Sequence, residues 1–491
     1  MAERTLSAED RRQVSLALLA IALLTLIRLV YLAGERFPLY GDEAQYWAWA
    51  KEPAFGYYSK PPMLAWVIWA TTSLLGDREF GVRLAAPLVH AGTAMLLMAL
   101  GARLWSAKAG AWAAILWIAL PAVSLSSMVI STDLTLLFFW AAALLAYVSA
   151  RENDRWIDWL AMGLAIGLGL LSKYAMGFFV ASLAVHLLWT GELRRRVTAG
   201  RLPAALGVAA LIYAPNLWWN VTNGWVSYKH TGDNANLGGP LFHPEKLGDF
   251  LGGQFGVFGP IPFVLLLYLI VWRWRATVAT DNGRLAVSFI LPHLLPIMAI
   301  ALLSRAHANW AASIYIMATP FVAAWLANLG ARRLMIAIFA LHVAAAGIAY
   351  HYRELAPAVG VALTRKTDPY ARLIGFDQAG HAVAHILGQV PDAVVMTEDR
   401  MLFALLAFYI RPRAPQVQWN GNGRIDDHFE LNTRVEDAGE RPILFVTERD
   451  EIADVTRRFA AAERYATITI PLNDIDERRF HVWELHGYGA E

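Results

Sequence analysis

Apolar runs of membrane length recur along roughly the first two thirds of this 491-residue chain. A hydrocarbon core about 30 Å thick takes about 20 helical residues to cross, and inside it every backbone N–H and C=O must find a partner within the segment. The runs at 14–33, 84–104, 110–128, 133–150, 156–171, 175–190, 203–219, 256–275, 285–303, 309–328 and 332–351 therefore read as about 11 transmembrane helices. The two short runs flanking Ser172-Lys173 also admit one bent helix, which would reverse the sidedness of all that follows. Only 17% of residues are charged, against about 25% in soluble domains. Mean hydropathy is +0.40. The fold class is a polytopic α-helical membrane protein. With no cysteine, disulfides, thiolate catalysis and cysteine metal sites are excluded. The 20 tryptophans suit a chain with many interfacial anchors.

Charge placement gives the topology. Arg4, Arg11 and Arg12 precede the first run, which is too long for a signal-peptide core and reads as a retained anchor. Basic clusters at Arg103/Lys108, Arg151/Arg155, Arg194–Arg196 with Arg201, Arg273/Arg275/Arg284 and Arg332/Arg333 fall in alternate loops, on the side of the N-terminus. By the positive-inside rule that side is the cytoplasm, and an odd number of spans places the C-terminus outside. The opposite loops are 34–83, 129–132, 172–174, 220–255 and 304–308. Segments 44–50 and 63–75 are expected to lie along the outer interface as amphipathic helices, with another in 220–255. From about 355 charge rises and apolar runs shorten. Strands are predicted at 393–396, 443–446, 467–470 and 480–485, and helices at 370–387, 400–408 and 451–461. The division is a transmembrane domain over 1–354 and a C-terminal soluble α/β domain over 355–491, outside the membrane.

Acids and bases collect on the outer face. Asp42 and Glu43 follow the first run directly. Carboxylates near lipid are costly and tend to be functional. Asp42 suits either a general base or a helix cap; Glu43 suits loop support or a direct role. Lys60 precedes Pro61-Pro62, which suit the start of a helix from Met63. It stands where a helix N-terminus already favours an anion, so it reads as a phosphate contact or as a snorkelling lysine. Asp133 is a helix cap or a partner of the first-loop acids. Lys173 is a headgroup contact or part of a donor site. In the turn 304–310, Arg305 suits bidentate phosphate binding, His307 is weak evidence for a metal or a base, Asn309 can cap the next helix, and both His307 and Asn309 are candidate sugar or lipid contacts. Tyr46, Tyr57 and Tyr58 suit sugar or polyprenyl stacking, or an interfacial belt. No metal-ligand spacing appears, so no metal site is assigned; two or three carboxylates with waters can hold a divalent cation, although nothing requires one. A phosphate-binding glycine loop is missing and no nucleic-acid partner is expected.

The motifs Asp-Glu-Ala-x-Tyr-Trp (42–47), Gly-Tyr-Tyr-x-Lys-Pro-Pro-Met (56–63) and Gly-Asp-x-Glu-Phe-Gly-Val-Arg (76–83) resemble the polyprenyl-phosphate-sugar-dependent glycosyltransferases of the C-type (GT-C) fold. The likeness is to the bacterial branch of lipid A aminoarabinose transferases, with protein O-mannosyltransferases more distant. Ser131–Asp133, Gly169–Tyr174 and Ala308–Trp310 are also similar. The resemblance implies inverting transfer from a polyprenyl monophosphate sugar to a glycolipid or other envelope acceptor, such as lipid A or lipopolysaccharide core, at the periplasmic side of the bacterial inner membrane. It implies Asp42 as catalytic acid residue, Lys60 as lipid-phosphate contact and Asp133 as second-loop acid. Two positions depart from the pattern: Ser59 stands where relatives carry an acid, and Ser313 where a proline is expected. From the residues alone, a transporter or lipid flippase is the alternative, but such proteins place charges near the midplane and often show repeated halves. A scaffold would leave the clustered acid and base unexplained.

Overall fold

The computed structural model describes residues 7–489 apart from Ala235, Leu237, Gly239 and Pro240; Arg4 of the basic front lies outside them. The chain forms two compact units. A membrane unit comprises Met1–Tyr31, Lys60–Leu64 and Arg83–Tyr350. A sheet unit comprises Leu32–Ser59, Ala65–Val82 and His351–Glu491.

Six described helices are long and apolar enough to cross a membrane: Ala8–Ala33, Glu79–Leu104, Thr132–Asn153, Arg201–Thr222, Asp281–Leu303 and Arg332–Tyr350. Shorter apolar helices Ala107–Ala119, Trp156–Ser172, Tyr174–Trp189 and Ile314–Asn328 occupy other predicted spans. The predicted span 110–128 breaks at Leu120, where Pro121 starts a separate short helix; proline lacks the N–H that a continuous helix needs. The predicted span 256–275 begins at a sharp corner. Helices Pro244–Val257 and Pro260–Trp272 meet at 118°. Gly259 makes that corner at φ +86°, and a Cβ there would lie 2.1 Å from His342 Nε2. Only glycine fits such a position.

Two polar contacts tie helices together inside this unit. The buried Arg28 guanidinium donates to the Ile118 carbonyl at 2.6 Å and to Ser124 Oγ at 3.0 Å. Tyr147 Oη lies 2.7 Å from His186 Nδ1. Burying such groups without partners would be costly. Several tryptophans expected as interfacial anchors are interior instead: Trp112, Trp117, Trp140 and Trp159 are buried, while Trp69, Trp218 and Trp272 are exposed.

The sheet unit is built on β1 (Val394–Thr397), β2 (Gln416–Gln418), β3 (Ile443–Thr447), β4 (Phe459–Pro471) and β5 (Glu477–Tyr488), in the order β2-β1-β3-β5-β4. The first three are parallel; β5 runs antiparallel to both β3 and β4. Strands β1 and β3 are buried along their whole length, as continuous apolar runs between two covered faces require. Val395, Leu444 and Val446 pack with helices Phe376–Leu387 and Arg400–Tyr409. Val394, Met396, Ile443 and Phe445 fill the opposite face. The helix expected over 451–461 is replaced by a short turn of helix, Ala453–Thr456, and by the start of β4 at Phe459. There Phe459, Ala461 and Ala462 pair with Tyr488, His486 and Leu485, and the ladder overrides the helix propensity of an alanine run. Strand β2 was not expected.

The first-loop helices form at Gly41–Lys51 and Met63–Leu75. The first is not an interfacial amphipathic helix. Most of it is buried, and it packs against helix Arg400–Tyr409 within the sheet unit.

Candidate functional site

The membrane unit gathers three of the singled-out residues. Asp133 stands in the first turn of helix Thr132–Asn153. Lys173 occupies an extended break, φ −161°, between helix Trp156–Ser172 and the turn Tyr174–Met176. Asn309 lies in the short turn Ala308–Ala311. Lys173 Nζ donates to Asp133 Oδ1 at 2.6 Å, and Asn309 Nδ2 donates to Asp133 Oδ2 at 2.8 Å. Both carboxylate oxygens are therefore engaged, one by a charge-assisted bond. Asn309 turns to Asp133 and does not cap the following helix. The Lys173 and Asp133 side chains are only 20% and 14% exposed.

Beside this cluster, His293 Nδ1 lies 2.5 Å from Ser313 Oγ, and its ring stacks on Phe178 at 4.3 Å. A proline at 313 could not make that contact. Arg305 and His307 are exposed. Arg305 makes no ion pair among the described residues, and His307 packs edge-on to Trp310 at 5.5 Å. Lys60 is half-buried, ahead of buried Pro61 and Pro62, three residues before the helix start at Met63.

The sheet unit holds the other acids. Gly41 begins helix Gly41–Lys51, and a Cβ on it would meet Met401 Cβ at 2.6 Å. This close approach sets the helix start directly on helix Arg400–Tyr409. Asp42 Oδ1 accepts from Arg400 Nη1 at 3.0 Å, and the same nitrogen donates to Gln45 Oε1. Asp42 Oδ2 has no partner among the described residues. Glu43 is fully buried and its Oε2 accepts from the Tyr40 backbone N–H at 2.9 Å. It thus supplies the cap that Asp42 was weighed for.

The aromatics are interior ties. Tyr57 stacks on Trp49 at 4.7 Å, and its hydroxyl accepts from the Ala54 N–H and donates to the Trp49 carbonyl. Burial pushes the Tyr57 phenol up to about 12. Tyr46 is buried against Trp49. Tyr58 Oη donates to the Ile425 carbonyl at 2.9 Å. Burial also pushes His428, which accepts from the Tyr58 N–H, down to about 4.

Arg400 is the residue that sequence reasoning missed. A cation in the first turn of a helix opposes the helix dipole, and Asp399 already caps that turn through the Met401 and Leu402 N–H groups. That misplacement was the available signal. Among the described residues no group of three or more His, Asp or Glu side chains is arranged to hold a metal ion.

Known proteins give the fold. ArnT from Cupriavidus metallidurans, solved in the apo state, superposes with a TM-score of 0.65 over 95% of this chain and 97% of its own, at 18% identity. The chain has the GT-C fold. The same protein bound to undecaprenyl phosphate superposes with a TM-score of 0.64. The dolichyl-phosphate-mannose-protein mannosyltransferase family matches this GT-C chain over residues 59–219. Lipid A galacturonosyltransferase RgtD of Rhizobium johnstonii is 38% identical over 63% of this chain and 65% of its own length. An undecaprenyl phosphate-α-4-amino-4-deoxy-L-arabinose arabinosyl transferase of Pseudomonas savastanoi is 24% identical over 49% of the chain and 50% of its own. The chain thus matches less than two thirds of these curated relatives' lengths. The likeness to the aminoarabinose-transferase branch that the motifs suggested is borne out, and the chain is a multi-pass membrane protein.

Proposed function

We propose that this chain is an inverting glycosyltransferase that moves a sugar from a polyprenyl monophosphate to an acceptor hydroxyl of lipid A or lipopolysaccharide core. The observation that carries the reading is the Asp133–Lys173–Asn309 cluster, set in a membrane unit with the GT-C fold. An acid and a base brought together from distant helices of such a unit are a functional signature. The names of the two relatives supply the class of donor and acceptor.

The two acids take different roles. Asp133 has both oxygens occupied and orients its neighbours. Asp42 keeps Oδ2 open and is the general base. It removes the acceptor proton as the hydroxyl oxygen bonds to the anomeric carbon. The bond from that carbon to the phosphate oxygen breaks, and its electron pair leaves with the polyprenyl phosphate. Lys60 and the exposed Arg305 neutralise the departing phosphate, a stabilisation of developing charge. Lys173 contributes while paired with Asp133. By the positive-inside pattern the N-terminus is cytoplasmic and the chemistry periplasmic, in the bacterial inner membrane. The first domain, over 1–354, carries donor binding, and 355–491 helps select the acceptor.

Purified protein in detergent, given a radiolabelled polyprenyl-phosphate sugar and lipid A, should release sugar from the lipid carrier and label the acceptor. An intact donor after long incubation, with transport of the same lipid in vesicles, would replace this reading with that of a flippase.

A further inference from the structure

We infer that Arg400 is a positioning residue for Asp42, so that the C-terminal domain supplies part of the reacting apparatus. The inference rests on the reading of Asp42 as general base.

The geometry is specific. One guanidinium nitrogen, Nη1, donates to Asp42 Oδ1 and to Gln45 Oε1, two side chains on one face of the same helix. Arg400 is itself fixed relative to that helix. Gly41 approaches Met401 too closely for any side chain. The Leu39 N–H donates to Tyr409 Oη at 2.7 Å, and Trp47 packs edge-on to Phe408 at 4.8 Å. The carboxylates of Asp399 and Asp427 lie near Arg400 in the fold but are occupied by backbone N–H groups: Met401 and Leu402 for the first, Phe429 and Glu430 for the second. Among the described residues the ion pair that Arg400 makes is with Asp42. Helix stability does not account for it, because a cation at this end of a helix is electrostatically unfavourable. With Oδ1 held by a planar donor, the carboxylate cannot rotate freely, and Oδ2 presents its lone pairs in one direction. A base held this way meets the acceptor proton without a search, and misplacement of a catalytic group by about 1 Å can cost about 100-fold in rate.

The test uses the full-length protein in detergent with radiolabelled polyprenyl-phosphate sugar and lipid A. Arg400→Ala should lower kcat about 100-fold, leave KM for the donor within about twofold, and recover turnover when guanidinium chloride is added at millimolar concentration. Arg400→Lys keeps the charge and a single donor and should retain more turnover than Arg400→Ala. A loss confined to KM would make Arg400 a substrate contact and overturn the inference. An unchanged kcat, or a loss that guanidinium does not relieve, would also overturn it. Where Arg400→Ala does not fold, Gln45→Leu removes the second anchor of the same nitrogen. It should give a smaller fall in kcat at constant KM, and an unaltered kcat there overturns the inference. If the unmodified protein transfers no sugar, the glycosyltransferase reading itself fails; if it transfers and Arg400→Ala equals it, only the positioning role fails.

Discussion

Asp133 in the membrane unit and Asp42 in the sheet unit each stand in the first turn of a helix, and the two are held differently. Asp133 is 14% exposed and bonded through both oxygens to a lysine and an amide. Asp42 is 35% exposed and bonded through one oxygen, to an arginine. A saturated carboxylate holds neighbours in place, whereas a half-engaged one can still accept a proton. The contrast separates a carboxylate tied at both oxygens from one with an oxygen left for a further hydrogen bond.

The sharpest way to break the contrast is Asp42→Asn. It keeps shape and removes basicity, so turnover should fall about 100- to 10,000-fold with little change in melting temperature; near-normal release of radiolabelled sugar would remove Asp42 from that role. Lys173→Met tests the other carboxylate. Leaving Asp133 with only Asn309 should cost about 1–3 kcal/mol of stability, read from thermal melting in detergent. Adding Asp133→Leu to Lys173→Met should return part of that loss, because removing both charges leaves neither unpaired. Gly41→Val pushes a branched side chain into Met401 and should destabilise the sheet unit by about 1–3 kcal/mol while the Asp133 cluster is untouched.

The smallest expected effect is a pH dependence confined to the sheet unit. Burial holds His428 down at about 4, against about 6.5 in an unfolded chain. Between those values the unfolded state binds a proton that the folded state refuses. Stability from this group is therefore complete above about pH 6.5 and declines as the pH falls toward 4. Burial pushes Asp427 and Glu430 the opposite way, which acts with opposite sign in more acidic solution. Melting curves from pH 7.5 to 5 should slope downward, and His428→Gln should flatten them.

Much of the architecture was legible because the bilayer imposes a local rule. Each spanning helix must satisfy its own backbone, so the runs at 133–150 and 285–303 announce themselves without reference to the rest of the chain. Helix Met63–Leu75 was placed by its apolar run and the prolines before it. Strands β1 and β3 were legible as short continuous apolar runs. Where the deciding partner lay far away, the sequence was silent. The 118° corner depends on His342 crowding Gly259. The start of β4 depends on β5. The Asp42–Arg400 pair joins residues 358 positions apart, and no periodicity encodes such a pairing. Glu43 as a cap was closer to reach, since the reciprocal bond spans only three residues.

Helix Gly41–Lys51 finds its packing partner in helix Arg400–Tyr409, and that has a consequence for biogenesis. The ribosome makes residue 41 well before residue 400, so the earlier segment must wait for a surface that does not yet exist. A chain stalled or clipped before residue 400 would carry the six long apolar helices described above and yet leave Trp47, Leu39 and Asp42 without the helix they pack on. Competence would arrive late and all at once, when the last third of the protein folds.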